Sequence, residues 1–439
     1  MMSMVNLRRS LMAALVGLAV SGHTLAATEI TFWHSMDGIN GEQIDSLVSR
    51  FNQSHPDYKV IASLKGDYEQ SLANGIAAVR NGKSPDILQV YDLGTATMMY
   101  SRAVVPVHQL FKDQGIPFDQ KQFLAPVAGY YSDSNGDLAS LPFNSSTPVT
   151  FYNKDAFKKA GLNPDQAPRT WQEVQKDAAA LRKAGMTCGY ASGAMAVQHI
   201  QVYSAWHALP VATKNNGYDG LDSSLVFNNP TVVAHIQMLA DMYKAGDMSY
   251  YGRKDDAISK FYSGDCGIAT VSSGSLTTVR RYAKFDFGVG MMPYDEGVPG
   301  APQNSLVGGA SLWVMKGKSP DTYKGVAQFM QFVTQPENAA QWHQKTGYVP
   351  VTKAAYELTK QQGFYDANPG ADVAAKQLQN KDPLPFTKGV RVGSLQQINT
   401  IISEELEKVW AGAAIPQAAM DSAVTRGNEQ LRRFELQVK

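Results

Sequence analysis

Short runs of apolar and β-branched residues alternate along most of the chain with longer segments whose apolar residues fall three and four apart. Glu29 to Trp33 reads as a strand. Ile44, Leu47, Val48 and Phe51 then share one face of a helix that stops at His55-Pro56. Tyr58 to Ser63 and Ile87 to Tyr91 repeat the strand pattern around a helix at Tyr68 to Arg80. Such alternation predicts parallel strands with right-handed crossovers, and ligands of such sheets collect beyond the carboxyl ends of the strands. The loops at those ends hold His34 to Gly38, Lys65 to Tyr68 and Asp92 to Thr95.

The pattern changes at Leu141 to Phe157, LPFNSSTPVTFYNKDAF. Asn144, Ser145, Ser146 and Thr147 put small polar groups in an extended segment that turns apolar again at Phe151 and Tyr152. Pro148 donates no ladder hydrogen bond and keeps Thr147 extended, so the strand must lie at an edge or change direction there. A crossing between two lobes, with its polar half lining a cleft, fits this order; an ordinary edge strand fits it too.

Beyond the crossing the alternation resumes. Thr170 and Glu173 form a capping box for a helix running to Lys183. Strands are expected at Cys188 to Ala191, Gly267 to Ser272, Phe287 to Met292 and Ala310 to Met315, with helices through Trp206, over Asn229 to Ala245 and from about Ser275. The tail is helical near Ile398 to Ala411 and Pro416 to Phe434. No internal repeat or low-complexity segment interrupts this order.

The N-terminus departs from it. Arg8 and Arg9, an apolar run from Leu11 to Val20 and the small residues at Thr24-Leu25-Ala26 make residues 1–26 a signal peptide, cut after Ala26, with the general secretory route favoured over twin-arginine export. No later run is apolar for long enough to span a membrane. Taking the two leader arginines from 40 basic residues leaves 38 against 39 acidic ones, a balance unlike that of a nucleic-acid or membrane-surface protein. With 44% hydrophobic residues the chain can build more than one core. Cys188 and Cys266 are the two cysteines; in an oxidising compartment they could pair, and their apolar surroundings suit free thiols as well.

Signatures of catalysis are missing. There is no G-x-S-x-G and no H-E-x-x-H, and the eight histidines show no metal-ligand spacing, so no metal and no cofactor are expected. Gly82-Lys83-Ser84 lacks the upstream glycine of a phosphate loop, since Ala77 stands there. Glu404, Glu405 and Glu407 read as a solvated helix face. Binding chemistry is more evident. Ser272-Ser273-Gly274-Ser275 follows an apolar strand and precedes a helix, where serines cap free amides or share them with an anion. Gly308-Gly309 allows the same two readings. Tyr348, in a loop between helices, could stack on or hydrogen-bond a ligand or pack on its own loop. Asp92 could accept from a polyol or serve as a cap, and Arg391 could hold a phosphate through its fork of donors.

Several stretches together resemble the periplasmic solute-binding proteins of ABC importers, within them the branch that takes glycerol phosphates: FWHSM at Phe32 to Met36, KGDYEQ at Lys65 to Gln70, ILQVYDLGTATMM at Ile87 to Met99, PFNSSTPV at Pro142 to Val149, SSGSL at Ser272 to Leu276, GGASLWVM at Gly308 to Met315, ENAAQWHQKTGY at Glu337 to Tyr348 and PLPFTKG at Pro383 to Gly389. The resemblance covers nearly the whole mature chain. It implies an α/β, two-lobed fold, each lobe a mostly parallel sheet flanked by helices, closing on a ligand held in the cleft between them. The expected division is 27–143 with 308–335 in one lobe and 144–307 with 336–439 in the other.

Carried over position by position, the resemblance implies ligand contacts at Tyr68, Asp92, Ser146, Ser272, Gly309, Tyr348 and Asn399, with Arg391 added from the residues themselves and Ala194, Trp33 and His34 on the pocket wall. Implied partners are glycerol-3-phosphate or a glycerophosphodiester and an ABC permease with two membrane subunits and a cytoplasmic ATPase; the chain itself would act as a monomer and bind no nucleic acid. Three positions depart from the family pattern. Asp92 replaces the usual glutamate, Ala194 replaces a tryptophan, and Asn399 replaces an arginine. The lost ring enlarges the pocket and the lost charge weakens the hold on a dianion, so both favour a diester such as glycerophosphocholine. Rival readings are an oligosaccharide-binding transport protein and, from another class, a secreted phosphodiesterase or glycosidase.

Overall fold

Alternation along the first strand, Thr28–His34, buries Ile30, Phe32 and His34 on one face, which is the period of an extended chain with one side in a core. The computed structural model describes residues 26–439, so the expected signal peptide lies, apart from Ala26, outside the described residues. Strands β1 (Thr28–His34), β2 (Tyr58–Leu64), β3 (Ile87–Tyr91), β4 (Val104–Val105) and β5 (Leu141–Ser146) belong to one sheet. Strands β6 (Pro148–Asn153), β7 (Cys188–Ser192), β8 (Met248–Ser249), β9 (Cys266–Ser272) and β10 (Phe287–Gly290) form a second, and β11 (Gly308–Met315) returns to the first.

The first sheet runs β2-β1-β3-β11-β4, with β5 also on β11, and the second runs β10-β6-β9-β7-β8. Pairs β1–β2, β1–β3, β7–β8 and β7–β9 are parallel, as helix-linked strands should be. The strands that carry the chain between sheets are antiparallel to their neighbours. Each sheet is therefore mixed, parallel where helices connect its strands.

Pro148 is where the chain changes sheet. It opens β6 opposite Ser272, and a missing N–H is tolerated at the first residue of a strand. Because β5 lies wholly in the first sheet, the change falls at Thr147, later than the division expected between Phe143 and Asn144. Thr147 is buried, with its hydroxyl 2.6 Å from that of Ser305 on the returning segment. Gly309 lies beside this junction at φ +86°, and a Cβ there would strike the Asn144 carbonyl; no other residue type fits.

The register of β7 on β9 sets Cys188 directly opposite Cys266, and the two form a disulfide. Both sit at the amino ends of their strands, away from the ends that carry Ser192 and Ser272. One expectation fails. Glu405 is not on a solvated face: it is buried and accepts from Lys408, Ser422 and Arg426, while Glu407 binds Arg253 and Tyr250. The tail helices Leu395–Trp410 and Pro416–Val438 pack on each other, and the Arg426–Glu405 pair sits along the seam.

Candidate ligand site between the lobes

Tyr68 is held from two directions. It is the first residue of helix Tyr68–Arg80, whose Asp67 cap accepts from the Gln70 amide at 2.9 Å, a bond that fixes the first turn. Its ring stacks on Tyr91 at 5.4 Å, and its hydroxyl accepts from Asn144 Nδ2 at 2.7 Å. Asn144 in turn accepts from Gln89 Nε2 at 2.8 Å, and Gln89 accepts from the Ser35 amide at 2.7 Å. This buried relay ties β1, β3, β5 and the helix into one wall; satisfied buried networks of this kind fix geometry more than they add net stability.

Across the junction, Ser146 pairs with Gly308, and Gly309 pairs with Ser145. Ser272 ends β9 and caps the next turn by accepting from the Gly274 amide at 3.2 Å. Tyr348 follows Gly347, a left-handed helix terminus at φ +84°. The amide of the next residue, Val349, donates to the Ser145 carbonyl at 2.7 Å, and the Tyr348 ring lies on Gly274, where a Cβ would meet it. Tyr68, Ser146, Ser272, Gly309 and Tyr348 are thus gathered at the point where the chain crosses between sheets.

Asp92 joins them from the carboxyl end of β3, since Tyr91 pairs with Ala310 beside Gly309. Burial pushes its carboxyl up to about 7, against the opposing effect of amide donors from its own residue and Leu93. Helix Leu395–Trp410 packs on this turn, and its Asn399 is buried, accepting from Gln201 Nε2 at 2.7 Å. Asn399 Nδ2 is buried without a partner among the described residues. Gln201 reaches it from a π-helical turn over Val197–Val202, a local widening often found at binding sites.

The Arg391 guanidinium lies 3.9 Å from the centre of the Tyr218 ring and its Nη2 donates to the Tyr130 carbonyl at 2.6 Å, so part of its fork joins the lobes. Nε alone is buried with no partner. Trp33 is covered by the Lys65 ammonium at 4.5 Å, and buried His34 accepts from the Met36 amide at 3.2 Å; both serve the first lobe's own packing. Ala194 stands just past β7 at φ +41°, its amide donating to the Lys254 carbonyl at 3.0 Å. The lobes touch elsewhere as well, through Lys254 and Asp67 at 2.7 Å and through Leu93 against the second lobe's core.

Gln89, Gln201 and Tyr130 were not singled out from the sequence. A glutamine inside the apolar run Ile87–Tyr91 was a usable signal for the first of them, because a buried amide needs partners. Nothing local marked the others.

The family model for bacterial extracellular solute-binding proteins matches residues 46–373. The chain belongs to this family. The sn-glycerol-3-phosphate-binding periplasmic protein UgpB of Yersinia enterocolitica is 61% identical over 430 residues, 98% of each chain. That of Salmonella typhimurium is 59% identical over 433 residues, 98% of this chain and 99% of its own. Among solved structures, UgpB from Mycobacterium tuberculosis in complex with glycerophosphocholine superposes with a TM-score of 0.78 at 25% identity, covering 93% of this chain and 99% of that one. The GacH receptor of Streptomyces glaucescens, at 16% identity and a TM-score of 0.77 over 93% of this chain and 99% of its own, shares the fold. Like its relatives, this member of the family is periplasmic, and no described helix is long and apolar enough to cross a membrane.

Proposed function

We propose that the chain is the binding component of an ABC importer that captures sn-glycerol-3-phosphate and glycerophosphodiesters such as glycerophosphocholine. The observation that carries this reading is the set of groups at the crossing. Hydroxyls of Ser146, Ser272, Tyr68 and Tyr348 and the Gly309 backbone meet there, with the carboxylate of Asp92 beside them. Neutral donors of this kind suit phosphate oxygens, and a carboxylate suits the vicinal hydroxyls of a glycerol unit. The names of its relatives point the same way.

In this reading Asn399 Nδ2 and Arg391 Nε, both buried donors without partners, wait for ligand oxygens. The lobes close over the solute, one built on the first sheet and the other on the second, with the chain passing between them at Thr147. The loaded chain, a monomer, docks on a permease of two membrane subunits driven by a cytoplasmic ATPase. Release, not chemistry, ends the cycle, and the chain performs no hydrolysis.

A thermal-shift assay of the ligand-stripped mature protein tests the reading. Glycerol-3-phosphate and glycerophosphocholine should each raise Tm in proportion to the logarithm of their concentration, and maltose should not. A shift with maltose alone sinks the proposal and makes an oligosaccharide the solute.

A further inference from the structure

Lys214, Asn215 and Asn216 form a left-handed turn, with φ of 56°, 49° and 56°. None is glycine, and a side chain crowds the backbone in this conformation, so such a run persists only where its surroundings over-determine it. Asn216 supplies the constraint. Its Oδ1 accepts from the amides of Val211 and Ala212, both at 2.9 Å, and its Nδ2 donates to the Gly389 carbonyl at 3.1 Å. Its own carbonyl accepts from the Arg391 amide at 2.8 Å. The turn is therefore a bracket that holds the segment from Gly389 to Arg391.

What the bracket holds reaches into the other lobe. The Arg391 guanidinium lies over the Tyr218 ring, whose hydroxyl donates to the Lys388 carbonyl at 3.2 Å. Arg391 Nη2 donates to the carbonyl of Tyr130, near the end of helix Ala125–Tyr131. Gly389 approaches the Tyr130 ring so closely that a Cβ there would strike it. The Tyr130 hydroxyl in turn donates to the Asp92 carbonyl at 2.9 Å. That carbonyl also accepts from the Thr95 amide of the same short turn, so both its lone pairs are taken. A carbonyl held in this way fixes the peptide plane beside the Asp92 side chain, and hydrogen bonds behind a site keep its groups in productive geometry.

The hydroxyls of Tyr130 and Tyr218 both go to backbone carbonyls, and neither residue is among the groups assigned to the solute. We infer that Tyr130 is a positioning residue for Asp92, braced from the second lobe by Arg391, Tyr218 and the Asn216 turn. Because Arg391 reaches Tyr130 across the lobes, the acid is fully braced only with the lobes together. The grip on the glycerol hydroxyls is thereby tied to closure. This rests on the proposed function and specifies how the cleft orients the acid it already contains.

Calorimetry with glycerophosphocholine, whose phosphate keeps its single charge over the pH range used, tests this on the wild type, Tyr130→Phe, Asp92→Ala and the double variant. Tyr130→Phe keeps the ring and loses only the hydroxyl. It should weaken binding about three- to tenfold, the worth of one hydrogen bond. Beside Asp92→Ala the same change should cost less than about twofold, because the group it positions is gone. The pH at which affinity falls on acidification should also move lower in Tyr130→Phe. A loosened Asp92 gains water, and its carboxyl, which burial holds at about 7, returns towards the ordinary range. Equal losses with and without the Asp92 carboxylate, or an unmoved pH profile, would make Tyr130 a packing residue and overturn the inference while the cleft reading stands. A wild type that does not bind the diester at all would overturn both. Should Tyr130→Phe not fold, Tyr218→Leu decides, since it takes the ring from Arg391 and its loss of affinity should likewise vanish beside Asp92→Ala.

Discussion

Gln201 Nε2 donates to Asn399 Oδ1 at 2.7 Å, which leaves Asn399 Nδ2 as a buried donor with no protein partner. An unsatisfied buried donor costs the empty protein on the order of 1–3 kcal/mol, and a ligand oxygen would relieve that cost. A neutral donor does this equally well for a monoester and a diester, whereas a guanidinium favours the more highly charged species. Asn399→Arg should therefore shift the ratio of affinities for glycerol-3-phosphate over glycerophosphocholine about tenfold towards the monoester. Competition calorimetry checks this, and an unchanged ratio would place Asn399 outside the phosphate's reach.

Asp92 couples stability to binding through its raised pKa of about 7. In the unfolded chain the same carboxyl titrates near its usual value of about 3.9. The folded state thus holds the extra proton between these values, and ionising Asp92 destabilises the fold as pH rises through the window. Asp92→Asn cannot ionise. It should be more stable than the wild type at pH 8, by about 2 °C or more in Tm, with the gap narrowing as pH falls from 7 and vanishing near 4. The same variant should bind glycerol phosphates about tenfold more weakly, because a charged acceptor is lost. A pH-independent gap would show that the carboxyl titrates normally.

Lys254 and Asp67 join the lobes at 2.7 Å, and both are substantially exposed. An exposed pair contributes little, on the order of 0.2–1 kcal/mol, and less in high salt. Because it forms only with the lobes together, Lys254→Gln should weaken every ligand alike, by about two- to threefold at low ionic strength. The difference should disappear in 1 M salt. A ligand-selective effect would mean that Lys254 touches the solute.

The Cys188–Cys266 bridge closes a loop of 78 residues. Cross-linking a loop of this length removes chain entropy equivalent to about 4–5 kcal/mol, of which bridges typically deliver about 2–4 kcal/mol. Its place at the amino ends of β7 and β9 puts it across the sheet from the ligand groups. The Cys188→Ser, Cys266→Ser double variant should melt several degrees lower and bind with unchanged affinity. Loss of binding in a still-folded variant would show that the bridge positions Ser192 or Ser272.

Much of this architecture was legible in the sequence because its signals are local. Ile87–Tyr91, Tyr68–Arg80 and the Thr170–Glu173 capping box appear where period and caps place them. Pro148 marked the change of sheet because a missing N–H has few tolerable positions in a strand. What escaped depends on partners distant in the chain. The Arg391 guanidinium is claimed by Tyr218 and by the Tyr130 carbonyl, and Glu405 is drawn inward by Arg426. Both looked free because no period records a partner on another element. The cysteines were ambiguous for the same reason, since their pairing follows from the register of β7 on β9.

The most direct test is calorimetry on the mature, ligand-stripped protein with glycerol-3-phosphate, glycerophosphocholine and maltose in separate titrations. The account predicts one site per chain for the phosphate compounds, tighter for glycerophosphocholine, and no heat from maltose. Binding of maltose alone, or of none of the three, would contradict it and leave the fold without the solute proposed for it.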